Sequence, residues 1–248
     1  MREYTYLANL DLIRDVLNDK GIKIGNTNDN LNELLLVLDF LEHDNTLFVV
    51  LPTISEASKY YDDLQKYLNQ DDVLFFPADE LITAEMLVAS NDFLFERLET
   101  LITLTMGKKK VVVTNLNGIM KREIPYDVFK NSIIKLKKGD IFDRNKLVKA
   151  LNILGYSNVY TTIKTGEFSK RGEIVDIYLF GEERPIRLDF FDDEIETIKY
   201  FNPETQISEE EIEKITIKPV REFIYSDEDL ARALNEIHLF LENEELKE

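Results

Sequence analysis

Residues Gly166–Glu194, GEFSKRGEIVDIYLFGEERPIRLDFFDDE, bring Lys170, Arg171, Arg184 and Arg187 together in a chain whose formal net charge is −18. A guanidinium offers a planar fork of donors that matches carboxylates and backbone carbonyls. In PIRLDFF, strand period two places Ile186, Leu188 and Phe190 on one face and Arg187, Asp189 and Phe191 on the other. The first set reads as a core face. The second mixes charge with an apolar ring, the mixture enriched at protein–protein hot spots. On this reading Arg187 points outward with Phe191 and can reach a partner's carboxylate. Alternation leaves a second arrangement open, in which a bulge beside Asp192–Asp193 turns Phe191 inward. Arg171 precedes Gly172, where strand parity is not fixed by spacing.

Other chemistries find less support. A phosphate loop needs glycines for close backbone approach, a lysine for charge and a Ser or Thr for magnesium. The region KIGNTNDNLNELLLVL has only Gly25 and no Lys-Ser or Lys-Thr pair, so it reads as a loop entering a core helix. Asp79 and Glu80 of FFPADE follow a strand end but have no phosphate loop to serve, and read as a solvated loop. The two histidines, His43 and His238, are remote from each other, and cysteine is absent. Neither a thiolate metal site nor a Ser/His/Asp triad can be assembled, and no catalytic residue, metal or cofactor is expected. The lack of cysteine fits a reducing cytoplasm. No apolar run is long enough to span a bilayer.

The elements that position these residues fall into two textures. TLFVVLP, VLFFP and VVVT are short apolar runs typical of strands buried on both faces, and TISEASKYYDDLQKYL and SNDFLFERLETLITLTMG are helical between them. Thr53 and Glu56 have capping-box spacing; Ser90 or Asn91 opens the second helix and Gly107 closes it. The β-α-β-α-β order predicts a parallel sheet flanked by helices. Near Asp127 the texture changes. LKKGD reads as a turn, and DRNKLVKALNILG as a helix capped by Asp143 and stopped by Gly155. NVYTTI, EIVDIYLF, PIRLDFF and EIETIKYF follow at strand spacing, predicting an antiparallel module. From Asn202 the chain turns acidic, and Ser226 caps a helix with the stripe Leu230, Leu234, Ile237 and Leu241. Basic and acidic residues nearly balance between Val128 and Phe201, whereas both flanks are strongly acidic. Such flanks disfavour a broad phosphate-binding surface.

The motifs GEFSKRGEIVDIY, PIRLDFFDDEIETIKYFNPETQIS and ITIKPVREF resemble the N-terminal region of the bacterial transcription-repair coupling factors (Mfd), itself similar to the repair protein UvrB. FFPADE, AEMLVASNDFLFERLETL and LKKGDIFDRNKLVKALNILGYSNV fit the same family in the same order, so the likeness runs from about Leu47 to Phe223. It implies an α/β fold: a parallel-sheet lobe resembling a degenerate motor ATPase, interrupted by a smaller α+β insert with an antiparallel sheet. The implied boundaries are 1–127 for the lobe, 128–218 for the insert and 219–248 for a return segment of the lobe, the whole reading as part of a longer protein. The family's phosphate loop is degenerate, and here Leu31 and Asn32 stand where UvrB has glycine and lysine. The resemblance implies that the insert binds UvrA through Arg171, Arg187 and Phe191; Lys170 and Arg184 carry no implied role. It further implies that the intact protein is an ATP-dependent DNA translocase that displaces stalled RNA polymerase, binds duplex DNA, and covers the insert with its own C-terminal domain at rest. Two other classes compete: a nucleotide-hydrolase fragment and an acidic DNA mimic.

Overall fold

The computed structural model describes residues 29–78, 93–121, 123–225 and 227–245. The chain divides into two compact units, Met1–Arg122 and Glu123–Glu248.

The first unit is a three-stranded parallel sheet. Its elements are α1 (Asp29–Glu42), β1 (Leu47–Leu51), α2 (Ile54–Leu64), β2 (Val73–Phe76), α3 (Leu94–Leu104), β3 (Val111–Asn115) and α4 (Leu116–Met120). The strand order is β1-β3-β2, with β3 central and buried along its whole length. That is why VVVTN shows no polar alternation: helices cover both of its faces. On one face Ala57 and Leu64 of α2 and Val37 and Phe40 of α1 pack on Val49, Val73, Val111 and Val113. On the other, Leu101 and Leu104 of α3 pack on Leu74, Phe76 and Val112. Thr53 caps α2 as its spacing predicts, its hydroxyl accepting from the amide of Glu56. Ser90, Asn91, Asp79, Glu80 and Gly25 lie outside the described residues. Leu31 and Asn32 sit in the first turn of α1, where Leu31 is exposed.

The carboxyl edge of this sheet is tied off by side chains. Asn115 accepts from the amide of Ala78 at 2.9 Å and donates to its carbonyl at 2.7 Å, while also accepting from the amide of Gly118. A Cβ on Gly118 would collide with Thr114 Oγ1 and lie 2.7 Å from the carbonyl oxygen of Phe76. Gly118→Ala is therefore expected to destabilise this unit by about 1–3 kcal/mol, the usual cost of overpacking, seen as a lower unfolding midpoint in a thermal or urea melt.

The second unit holds α5 (Tyr126–Ser132), β4 (Ile134–Lys137), α6 (Arg144–Ile153), β5 (Ser157–Asn158), β6 (Glu167–Arg171), β7 (Ile174–Ile177), β8 (Ile186–Phe191), β9 (Glu194–Phe201), β10 (Ser208–Glu211), β11 (Lys214–Ile217) and α7 (Asp227–Glu245). Six strands form one sheet in the order β10-β9-β8-β7-β6-β5, and β11 pairs with β4 in a separate antiparallel ribbon. The sheet is antiparallel apart from the short β5, which runs parallel to β6. Its core face carries Phe168, Val175, Ile177, Ile186, Leu188, Phe190, Ile195 and Ile198 against Leu147 and Leu151 of α6 and Leu136, Ile215 and Ile217 of the ribbon. The Asp143 cap is as predicted: its carboxylate accepts from the amides of Asn145 and Lys146, which hold its pKa below the usual carboxylate range. Gly155 ends the helix with φ 94°.

Two expectations change. NVYTTI is mostly not strand; after Asn158 it leaves the sheet edge and folds over one sheet face. The ribbon β4–β11 was not anticipated, because its two halves are short and lie far apart in the chain. The stripe of α7 is exposed at Leu230, Leu234 and Ile237.

Candidate protein-docking face

Residues paired in register across the sheet share a face, which assigns every side chain of interest. One row runs Ser169, Asp176, Arg187, Lys199 across β6 to β9; the next runs Arg171, Ile174, Asp189, Thr197; beyond them Phe191 faces Glu194. This face is opposite the core. It settles the parity of Arg171. The β6–β7 hairpin turns on Gly172, whose φ of 62° suits the first position of a tight turn. Arg171 and Ile174 then pair directly, on the same side as Phe191.

Phe191 is 66% exposed while Phe190 is buried. There is a bulge here, but not where an inward Phe191 would need it. The register passes from Asp189↔Thr197 to Phe190↔Ile195, so the extra residue lies on β9. The alternation of β8 continues unbroken to its last residue, giving the burial sequence of a half-buried strand. The aromatic ring is outside because the partner strand takes up the irregularity.

Half of this face is roofed. The segment 159–164 lays Thr162 over it, fully buried, its hydroxyl hydrogen-bonded to Ser169 Oγ at 3.1 Å. The segment 202–207 lies beside it. Asn202 opens this turn by accepting from the amides of Glu204 and Thr205, and Gln206, with φ 61°, donates to the carbonyl of Pro203. Beneath the roof is a buried ion cluster. Asp176 is 0% exposed and its carboxylate accepts from Arg187 Nε at 2.7 Å, Arg187 Nη2 at 2.9 Å and Arg171 Nη2 at 2.6 Å. Arg187 Nη1 donates to the carbonyl of Gln206 and to Ser208 Oγ, and its guanidinium lies 4.7 Å from the Phe201 ring centroid. The bond to Asp176 holds the Arg187 pKa above the usual arginine value. At the unroofed half stand Arg171, Ile174, Asp189 and Phe191. Asp189 accepts from Thr197 Oγ1 and lies 3.6 Å from Lys199.

The expectation that Arg187 reaches outward is corrected by this geometry. Its side chain is only 12% exposed and all three of its nitrogens are engaged within the fold, because the segment after β9 closes over that end of the sheet. Arg171, 42% exposed, makes one hydrogen bond. The other two basic residues leave the cluster altogether. Lys170 points to the core side and donates to Asn145 on α6; Arg184 bridges Glu209 and Glu210 and stacks on Tyr200. Asp176 was missed by sequence reasoning, although a carboxylate inside the apolar run EIVDIYLF was a usable signal: a charge in mid-strand needs a partner. Among the described residues no cluster of His, Cys, Asp and Glu could hold a metal, and no helix is long and apolar enough to cross a membrane.

The unit that carries this face is a helix-backed, mostly antiparallel sheet, and the sequence model of the UvrB interaction domain family matches its residues 134–223. A region covering most of the chain is homologous to the N-terminal part of transcription-repair-coupling factor. It is 34% identical over 196 residues to the transcription-repair-coupling factor of Bacillus subtilis, covering 79% of this chain and 17% of that protein. To the same factor of Staphylococcus haemolyticus it is 27% identical over 224 residues, 90% of this chain and 19% of the relative. For Staphylococcus aureus the identity is 30% over 205 residues, 82% and 17%. The chain thus spans under a fifth of the length of these relatives.

Arg187 balances a carboxylate with no access to water, so its removal leaves a buried charge with one partner in place of two. Arg187→Ala should destabilise the second unit by roughly 3 kcal/mol, lowering its unfolding midpoint in urea. The sequence reading alone would have this variant unfold like the wild type.

Proposed function

We propose that this chain is the UvrA-recruiting part of a transcription-repair coupling factor, acting in transcription-coupled nucleotide excision repair. One observation carries the reading: Phe191 is exposed on the polar face of its strand, the sheet face that Arg171 shares, in the unit that contains the UvrB interaction domain match. An apolar ring held out on a rigid strand, with a forked cation on the same sheet face, is an anchor that a partner's pocket can desolvate. On this reading 1–127 is a degenerate nucleotide-binding lobe, 128–218 the insert and 219–248 the return segment. The intact protein is then a cytoplasmic ATP-dependent DNA translocase that also engages RNA polymerase, duplex DNA and its own C-terminal domain, while this stretch performs no catalysis and holds no cofactor. The sequence GNTNDNLNELL, without the lysine a phosphate loop uses, supports that division.

Phe191→Ala should weaken binding to UvrA by tenfold or more, since a lost aromatic anchor costs about 2 kcal/mol, with thermal unfolding nearly unchanged because the ring lies outside the core. Wild-type affinity in this variant, measured by calorimetry, would refute the docking face. Titration with ATP and magnesium should give no heat; saturable binding in the micromolar range would favour the hydrolase-fragment reading. A charge mimic would lose nearly all its affinity on raising the salt, whereas a face anchored by Phe191 should lose only part.

A further inference from the structure

Two arginines share Asp176 unequally. Arg187 gives it two nitrogens and gives the third to Gln206 and Ser208. Arg171 gives it one nitrogen and leaves nearly half of its side chain in solvent. We propose that Asp176 is a positioning residue of the docking face: it never meets the partner, but pins one arm of the Arg171 guanidinium so that the remaining donors face outward toward a carboxylate of the partner, with Arg187 holding Asp176 in place from behind. The inference rests on the docking reading above and adds to it a division of labour, in which Arg171 and Phe191 touch the partner and Arg187 and Asp176 act through Arg171.

The surroundings favour this assignment. Asp189, in the same row as Arg171, is engaged with Thr197 and Lys199, and Glu173 lies 3.9 Å from Arg144. Ser169, in register with Asp176, is held by Thr162. A surface arginine ordinarily loses rotamer freedom when it binds; one already pinned to a buried carboxylate has lost part of it beforehand, and that preorganisation raises affinity. One carboxylate shared by two guanidinium groups leaves that cluster itself with one positive charge in excess, and Arg171 is its exposed member, which suits a carboxylate of the partner.

The test is a double-mutant cycle on the 248-residue chain, with UvrA affinity read by calorimetry and folding followed by urea melts. Arg171→Ala and Asp176→Asn should each lower the affinity about tenfold, and the double variant should bind within about twofold of Arg171→Ala alone, because residues that act through one another are not additive. A purely stabilising bridge would lower the urea midpoint and leave no coupling in binding. Wild-type affinity in Asp176→Asn, or losses that multiply in the double variant, would overturn the proposal. If Asp176→Asn does not fold, Arg171→Lys decides: an ammonium drawn onto Asp176 has no fork to turn outward, so it should bind as poorly as Arg171→Ala, and full affinity overturns the inference. Phe191→Ala separates the two levels. If it binds as the wild type, the docking face itself fails; if it loses affinity while Asp176→Asn does not, only the positioning role fails.

Discussion

The second unit is organised around a carboxylate that has no access to water. Asp176 sits in the middle of β7, with apolar residues on either side of it in the chain, and a bare charge there would be prohibitively costly. Its requirement for donors draws Arg187 inward from the neighbouring strand and Arg171 inward from the hairpin end. Arg187 in turn needs acceptors for its last nitrogen and finds them in Gln206 and Ser208, which fixes the segment after β9 over the sheet. One acidic residue thereby links β6, β7, β8, the start of β10 and a loop through a contiguous set of charge-assisted hydrogen bonds.

This arrangement divides the polar face into a roofed half and an open half, and the division has functional content. Under the roof the charges are satisfied within the chain and hold the sheet together. At the open end the same chemistry continues into solvent: an arginine with donors to offer, an isoleucine beside it, and a phenylalanine past the hairpin tip. A docking face built this way has rigid support, because its side chains stand on hydrogen-bonded strands and not on loops.

Much of this was legible from the sequence. The apolar runs around Leu74 and Val112 identified a parallel sheet because a strand covered on both faces dispenses with polar alternation, but the same texture misled for β1, which buries Val49 and exposes Phe48 and Val50 as the edge strand of the order β1-β3-β2. The alternation of β8 identified Phe191 as outward because period two is a geometric property of the strand. What could not be read was anything set by a third element. Arg187 lies on the face that alternation gives it, but its exposure is decided by residues 202–208, and no local rule says that this segment folds back over it. The parity of Arg171 depended on the turn at Gly172, and the ribbon β4–β11 on a pairing across most of the unit. Local periodicity gives direction; burial is a property of the assembled layers.

The bulge on β9 has a consequence for how this region can vary over evolutionary time. Ile195 and Ile198 are three residues apart and yet both face the core, which a regular strand does not permit. The extra residue acts as a phase shifter between the hairpin tip and the body of the sheet. Straightening the strand with all its residues kept would turn Ile195 out and a glutamate in, whereas deleting one residue at Glu196–Thr197 would remove the bulge and leave both isoleucines on the core face. A one-residue deletion at the bulge should therefore be tolerated, whereas one elsewhere in β9 would put Ile195 and Ile198 out of phase with the rest of the strand and should not survive.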